Sequence, residues 1–205
     1  MTEMEFAALL VSRVCHDLVS PVGAVVNGLE VLEDETDAAM RADALKLVAS
    51  SAEQAAARLQ FARVAFGAAG SAGAELDLNE VGRVVKGFMQ GGKTELTWNA
   101  APANWPKDWA KLLMNATLLG AESLPRGGQL VVETSADASS PSFQIRATGQ
   151  NARVLDEVEK AMRGEPVAPL DGRSIQAYLT YRLARSLNAG LTLTAGEGSV
   201  KFAAG

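Results

Sequence analysis

Apolar residues recur every three or four positions along the first third of the chain. Met4, Ala8, Val11, Cys15, Leu18, Val22, Val25, Leu29 and Leu32 alternate steps of four and three. That spacing draws one stripe along a long helix. Glu33 to Asp37 reads as a polar turn, with Thr36 or Asp37 as the next N-cap. A second stripe follows at Leu45, Val48, Ala52, Ala55, Leu59, Ala62 and Phe66, and the glycine-rich run from Gly67 to Gly73 ends it. Residues 3–67 are expected to form an antiparallel helical hairpin with arms about 40 Å long at 1.5 Å per residue.

Two helices alone cannot bury a two-sided core. A second hairpin from another copy would complete a four-helix bundle, and Ala55, Ala56 and Ala57 suit close helix approach. The competing arrangement packs the hairpin on the chain's own C-terminal part. There the pattern predicts helices over Asn79–Gln90, from Pro106 to about Leu124, over Val154–Met162 and over Ile175–Leu187. Strands are expected over Glu95–Trp98, Gln129–Ser135 and Phe143–Ala147, with a terminal hairpin from Leu191–Thr194 and Ser199–Phe202. Alternating strands and helices point to helices layered on a mixed sheet. The expected class is α+β. A helical hairpin over 1–70 forms a dimeric four-helix bundle, a linker spans 71–76, and an α/β sandwich fills 77–205.

Composition narrows the function. Of 205 residues, 21% are charged and 48% hydrophobic, which is globular rather than disordered. A net charge of -5 argues against nucleic acid as a partner. One cysteine excludes an internal disulfide and fits a reducing compartment. The start lacks a basic leader, and the apolar run Phe6–Val11 is too short to span a bilayer. A soluble, cytoplasmic protein without membrane contact is expected. There is one histidine, His16.

Gly87 to Thr94 matches the phosphate-loop pattern G-x-x-x-x-G-K-[ST] in full. That loop works when a strand enters it and a helix leaves, so that helix N-terminal amides meet the phosphates. Here the predicted order is reversed, and a plain helix end with a turn is expected.

His16 stands in the string Ser12-Arg13-Val14-Cys15-His16-Asp17-Leu18-Val19-Ser20-Pro21-Val22. No second histidine is available for a metal site. Ser20 lies one turn from His16 on the same face. Pro21 removes one helical hydrogen bond and should bend the helix. A neutral imidazole on a stiff helix is a competent nucleophile. This string resembles the phosphoacceptor box of histidine kinases, with His16, Asp17, Leu18, Ser20 and Pro21 matching.

A kinase also needs a nucleotide site, and its parts are incomplete. Asn115-Ala116 resembles the region of a kinase's magnesium-binding Asn, but Lys111 stands where an Asn or Glu is usual. Ala147 to Asn151 lacks the adenine-recognising carboxylate, and Gly172 to Ala177 lacks the second glycine of a phosphate lid. A kinase-like hairpin with a degenerate ATP domain resembles the alphaproteobacterial histidine phosphotransferases. Leu10–Glu35 and Leu59–Gly73 carry the resemblance most specifically, with looser agreement at Leu124–Gly128 and Gly164–Pro166.

The resemblance implies a homodimer that relays phosphoryl groups in a cell-cycle phosphorelay. The receiver domain of a hybrid histidine kinase would be the donor, and response regulators the acceptors. His16 would be the phosphoacceptor, with Arg13, Asp17, Ser20 and Pro21 supporting it. No cofactor is expected, since the receiver would bring its own Mg2+. Asp17 either holds the ring or pairs with Arg13, and Arg13 could instead touch phosphate or the partner. Val14 and Val19 beside His16, with Gln54, Ala57, Arg58 and Phe61 across the hairpin, are the expected receiver contacts. The competing readings are an autophosphorylating kinase fragment and a helical adaptor. A phosphatase role on receivers is a further option, given Ser20.

Overall fold

Thr2 starts helix α1 (Glu3–Asp34) with a reciprocal cap: its hydroxyl accepts from the Glu5 amide, and the Glu5 carboxylate accepts from the Thr2 amide. Helix α2 (Ala38–Ala65) starts at Asp37, whose carboxylate accepts from the amides of Ala39 and Met40. The computed structural model describes residues 1–67, 74–165, 167 and 172–205. The two helices form the expected antiparallel hairpin and approach closely at Gly28. A Cβ there would stand 2.6 Å from Val48 Cγ2.

The hairpin has two different faces. Along one, Phe61 and Ala65 are buried against the C-terminal part. Along the other, much of the predicted stripe is open: Met4, Val11, Val22 and Leu29 of α1, with Leu45 and Leu59 of α2, are exposed. The hairpin thus packs on its own C-terminal part, as the competing arrangement has it, and leaves an apolar face uncovered. By length and composition α1 could cross a bilayer. It is nonetheless tied to the C-terminal part by Glu3–Arg182 and Arg13–Glu122 ion pairs and by Phe6 against Tyr178.

Of the expected linker 71–76, residues 71–73 lie outside the described residues, and Glu75 and Leu76 belong to β1 (Glu75–Asp77). Asp77 caps α3 (Leu78–Met89). Then follow β2 (Thr94–Asn99), β3 (Asn104–Pro106), α4 (Lys107–Glu122), β4 (Gly128–Thr134), β5 (Phe143–Thr148), α5 (Asp156–Met162), α6 (Gly172–Ser186), β6 (Thr192–Gly196) and β7 (Ser199–Ala204). β1 and β3 form a two-stranded antiparallel ribbon. The other strands make a sheet in the order β2-β4-β5-β7-β6, with only the β2–β4 pair parallel.

The sheet reads with period two. Leu130 and Val132, Phe143, Ile145 and Ala147, and Val200, Phe202 and Ala204 face inward, while Glu133, Arg146 and Lys201 face out. Helix α4 fills the inner side, with every residue from Ala110 to Gly120 buried. Gly120 permits its close approach, because a Cβ there would meet Leu130 and Ile145 within 3.1 Å. Trp98 and Trp105 sit in this interior, and Trp98 donates to the carbonyl of Leu78.

The ribbon was not legible in the sequence, since three-residue strands carry no period. Helix α5 begins at Asp156 rather than Val154, which leaves Val154 and Leu155 in the loop before it. The phosphate-loop pattern resolves as expected from the element order. Gly87 lies in the last turn of α3, Gly91 turns the chain with φ +77, and Thr94 starts β2.

Candidate functional site

His16 projects from α1 with its side chain 87% exposed. Nothing shields the ring, and the groups around it are already committed. Asp17 Oδ1 stands 3.6 Å from His16 Nδ1, near enough to attract a charged ring but beyond hydrogen-bond length. Asp17 Oδ2 accepts from Arg13 Nε at 3.0 Å. Arg13 is itself buried, and its Nη2 donates to Glu122 at 2.6 Å. Of the two sequence readings of Asp17, the pairing with Arg13 is present, and the carboxylate lies beside the ring without a hydrogen bond to it. Two carboxylates, from α1 and α4, engage the Arg13 guanidinium, and Arg13 lines the same cleft as His16. Burial disfavours its charge, but Glu122 and Asp17 outweigh that and push its pKa above the usual arginine value.

Ser20 is exposed one turn beyond His16, and Pro21 is buried. Pro21 has no N–H for the carbonyl of Asp17 four residues back. Arg58 crosses from α2 and donates its Nη1 to that carbonyl. Val19 is 70% exposed beside His16, and Val14 is half-buried.

The expected contacts on α2 divide. Arg58 reaches the turn that carries His16. Phe61 does not: it is 1% exposed and stacks against Phe88 of α3, with a ring-centroid distance of 4.4 Å. It cannot meet a partner, and its assignment as a receiver contact is overturned. Ala57 faces Gly87 of α3, and Gln54 lies against Gly91 in the turn after it. These three residues lie on the face of α2 turned toward α3. Of the three, only Phe61 is sealed; Gln54 and Ala57 stay partly exposed.

His16 opens onto a cleft of about 810 Å³ between α1 and the C-terminal part. Across from it lie Leu124 and Pro125 after α4, and Arg153, Val154, Leu155 and Val158 around the start of α5. Sequence reasoning picked none of these, nor Glu122. They lie more than a hundred residues from His16, and no local pattern ties them to it. Among the described residues no group of three or more His, Cys, Asp or Glu side chains is placed to hold a metal.

The position resembling a magnesium-binding Asn is closed. Asn115 is fully buried, and its amide donates to the carbonyls of Ala65 and Lys111 while its carbonyl accepts from Gln176. It joins α2, α4 and α6. At the end of β5, Gly149 lies so close to the Gly127 carbonyl that a Cβ would stand 2.6 Å from it. The segment before Gly172 and Pro166 of the Gly164–Pro166 match lie outside the described residues.

The architecture is thus a helical hairpin that displays one histidine, packed on an α/β domain. The family of the histidine phosphotransferase C-terminal domain matches residues 78–199. The chain belongs to the histidine phosphotransferases. It is 40% identical over 205 residues to the protein phosphotransferase ChpT of Brucella abortus (strain 2308), spanning 100% of this chain and 97% of that relative. The solved structure of a bacterial phosphotransferase is 38% identical to it, with a TM-score of 0.89 over 100% of this chain and 98% of that one.

Proposed function

We propose that this phosphotransferase carries the phosphoryl group on His16 and relays it between receiver-domain aspartates. One observation carries the reading: the sole histidine stands fully displayed on a helix, at the mouth of a cleft, while the polar groups around it are tied to one another. A neutral ring nitrogen attacks the phosphorus of an aspartyl phosphate on a docked donor. The P–N bond forms as the P–O bond to the donor aspartate breaks, and the carboxylate leaves with the electron pair. Attack by the acceptor's aspartate reverses the same bond changes. Both phosphorylated states are reactive, so transfer runs in either direction.

The donor is the receiver of a hybrid histidine kinase, and the acceptors are response regulators. The receiver contributes the magnesium and the lysine that neutralise the equatorial oxygens, and this chain needs no cofactor of its own. Its contribution is placement. Val19 and the apolar rim at Val154 and Leu155 offer docking surface on either side of the ring. The uncovered stripe of α1 and α2 suits a second copy, giving a homodimer in the cytoplasm. The buried Asn115 supports a reading without ATP.

Mixing a phosphorylated receiver with the wild type and with His16→Gln, in the absence of ATP, tests this. Label should appear on the wild type only and chase onto a second receiver. Label on the variant would move the acceptor elsewhere. No label on either folded protein, with several donors tried, would favour the adaptor reading.

A further inference from the structure

Arg58 does more for His16 than its place on α2 suggests. This role presupposes the relay through His16 and extends it. Pro21 sits inside α1 and cannot donate to the carbonyl of Asp17, the residue that follows His16. The Asp17 carboxylate is held by Arg13. The backbone of this turn thus lacks the one bond an uninterrupted helix would give it. Arg58 Nη1 supplies a donor from the other helix of the hairpin.

Two further facts bear on the guanidinium. No ion pair among the described residues includes Arg58, and its Nε is buried there without a hydrogen-bond partner. Arg58 is therefore not held by a carboxylate, and it has surrendered water on one side. Its bond to the Asp17 carbonyl is the polar contact that fixes it.

We propose that Arg58 is a positioning residue. It replaces the donor that Pro21 lacks and fixes the turn from which His16 projects. In-line attack on phosphorus needs the ring nitrogen in a near-attack placement, and a misplacement of about 1 Å costs about 100-fold in rate. Pro21 opens the helix at this turn and Arg58 closes it again from α2, so the two residues act as one device.

A double-mutant cycle tests the pairing. Transfer from a phosphorylated receiver is followed by rapid quench in Arg58→Met and Arg58→Lys, each also made in a Pro21→Ala background. Arg58→Met should slow transfer about 10- to 100-fold at saturating receiver, with receiver affinity unchanged. Arg58→Lys keeps one donor and should recover most of the rate. In the Pro21→Ala background residue 21 regains its amide, and Arg58→Met should cost less than about twofold.

An equal loss in both backgrounds would overturn the proposal, and so would a loss confined to receiver affinity, which makes Arg58 a docking residue. Circular dichroism checks that each variant folds. The carbonyl carbon shift of Asp17 in the Arg58→Lys protein gives a readout independent of transfer, and an unmoved shift on Arg58→Met would also count against the contact. Label on His16→Gln would instead sink the relay itself, an outcome distinct from all of these.

Discussion

Helices α1 and α4 treat their polar residues in opposite ways. On α1, His16 faces solvent and the residues around it are braced from behind by Asp17, Arg13 and Glu122. On α4, Asn115 is sealed inside and its whole amide is spent on three neighbours. One helix leaves an imidazole open to solvent. The other has turned a polar residue into a joint between α2 and α6. Polar residues on helices are thus not equivalent clues, and burial with complete pairing separates a structural group from a reactive one.

The contrast can be broken most forcefully at Phe61. If it is core, Phe61→Ala should lower stability by about 3–5 kcal/mol in denaturant unfolding. A stable variant with weakened receiver binding would restore its earlier assignment. Arg13→Met should come next. Removing one member of a buried pair costs about 3–5 kcal/mol, reduced here to about 1–3 because Asp17 and Glu122 keep 19% and 29% exposure and can recover water. Transfer should also slow, since the brace behind His16 is lost; thermal unfolding and transfer rate, measured on one sample, check both.

Asn115→Ala should cost about 1–3 kcal/mol through the unpaired groups it leaves at Ala65 and Gln176. Its transfer rate at a temperature where it is folded should match the wild type, and a loss of activity there would return Asn115 to the chemistry. The smallest stability effect belongs to Val19→Asp. On an exposed site it should shift stability by no more than about 0.5 kcal/mol. Its effect should fall on receiver affinity, read by titration calorimetry, and unchanged affinity would remove Val19 from the docking surface.

The helices and main strands were legible because their periods are long and regular. The stripe from Met4 to Leu32 marks α1, and the inward set Leu130, Val132, Phe143, Ile145 and Ala147 marks the sheet. The ribbon of β1 and β3 was not, because three residues hold no period. His16 stood out as a candidate from its immediate neighbours in the chain. The cleft opposite it did not, since Glu122, Val154 and Leu155 join His16 only through the packing of the C-terminal part on the hairpin. Helix rotation was the other blind spot. Counting residues from the turn set the level of Phe61 but could not say that α2 turns it toward Phe88.

Each chain has one histidine, and it opens onto the cleft between α1 and the C-terminal part. On the proposed relay this makes it a shared counter with room for one customer. Spent donor and waiting acceptor must compete for the same seat, so an excess of unphosphorylated donor should throttle delivery even when His16 is fully charged. Throughput then depends on the ratio of partners in the cell as much as on their phosphorylation.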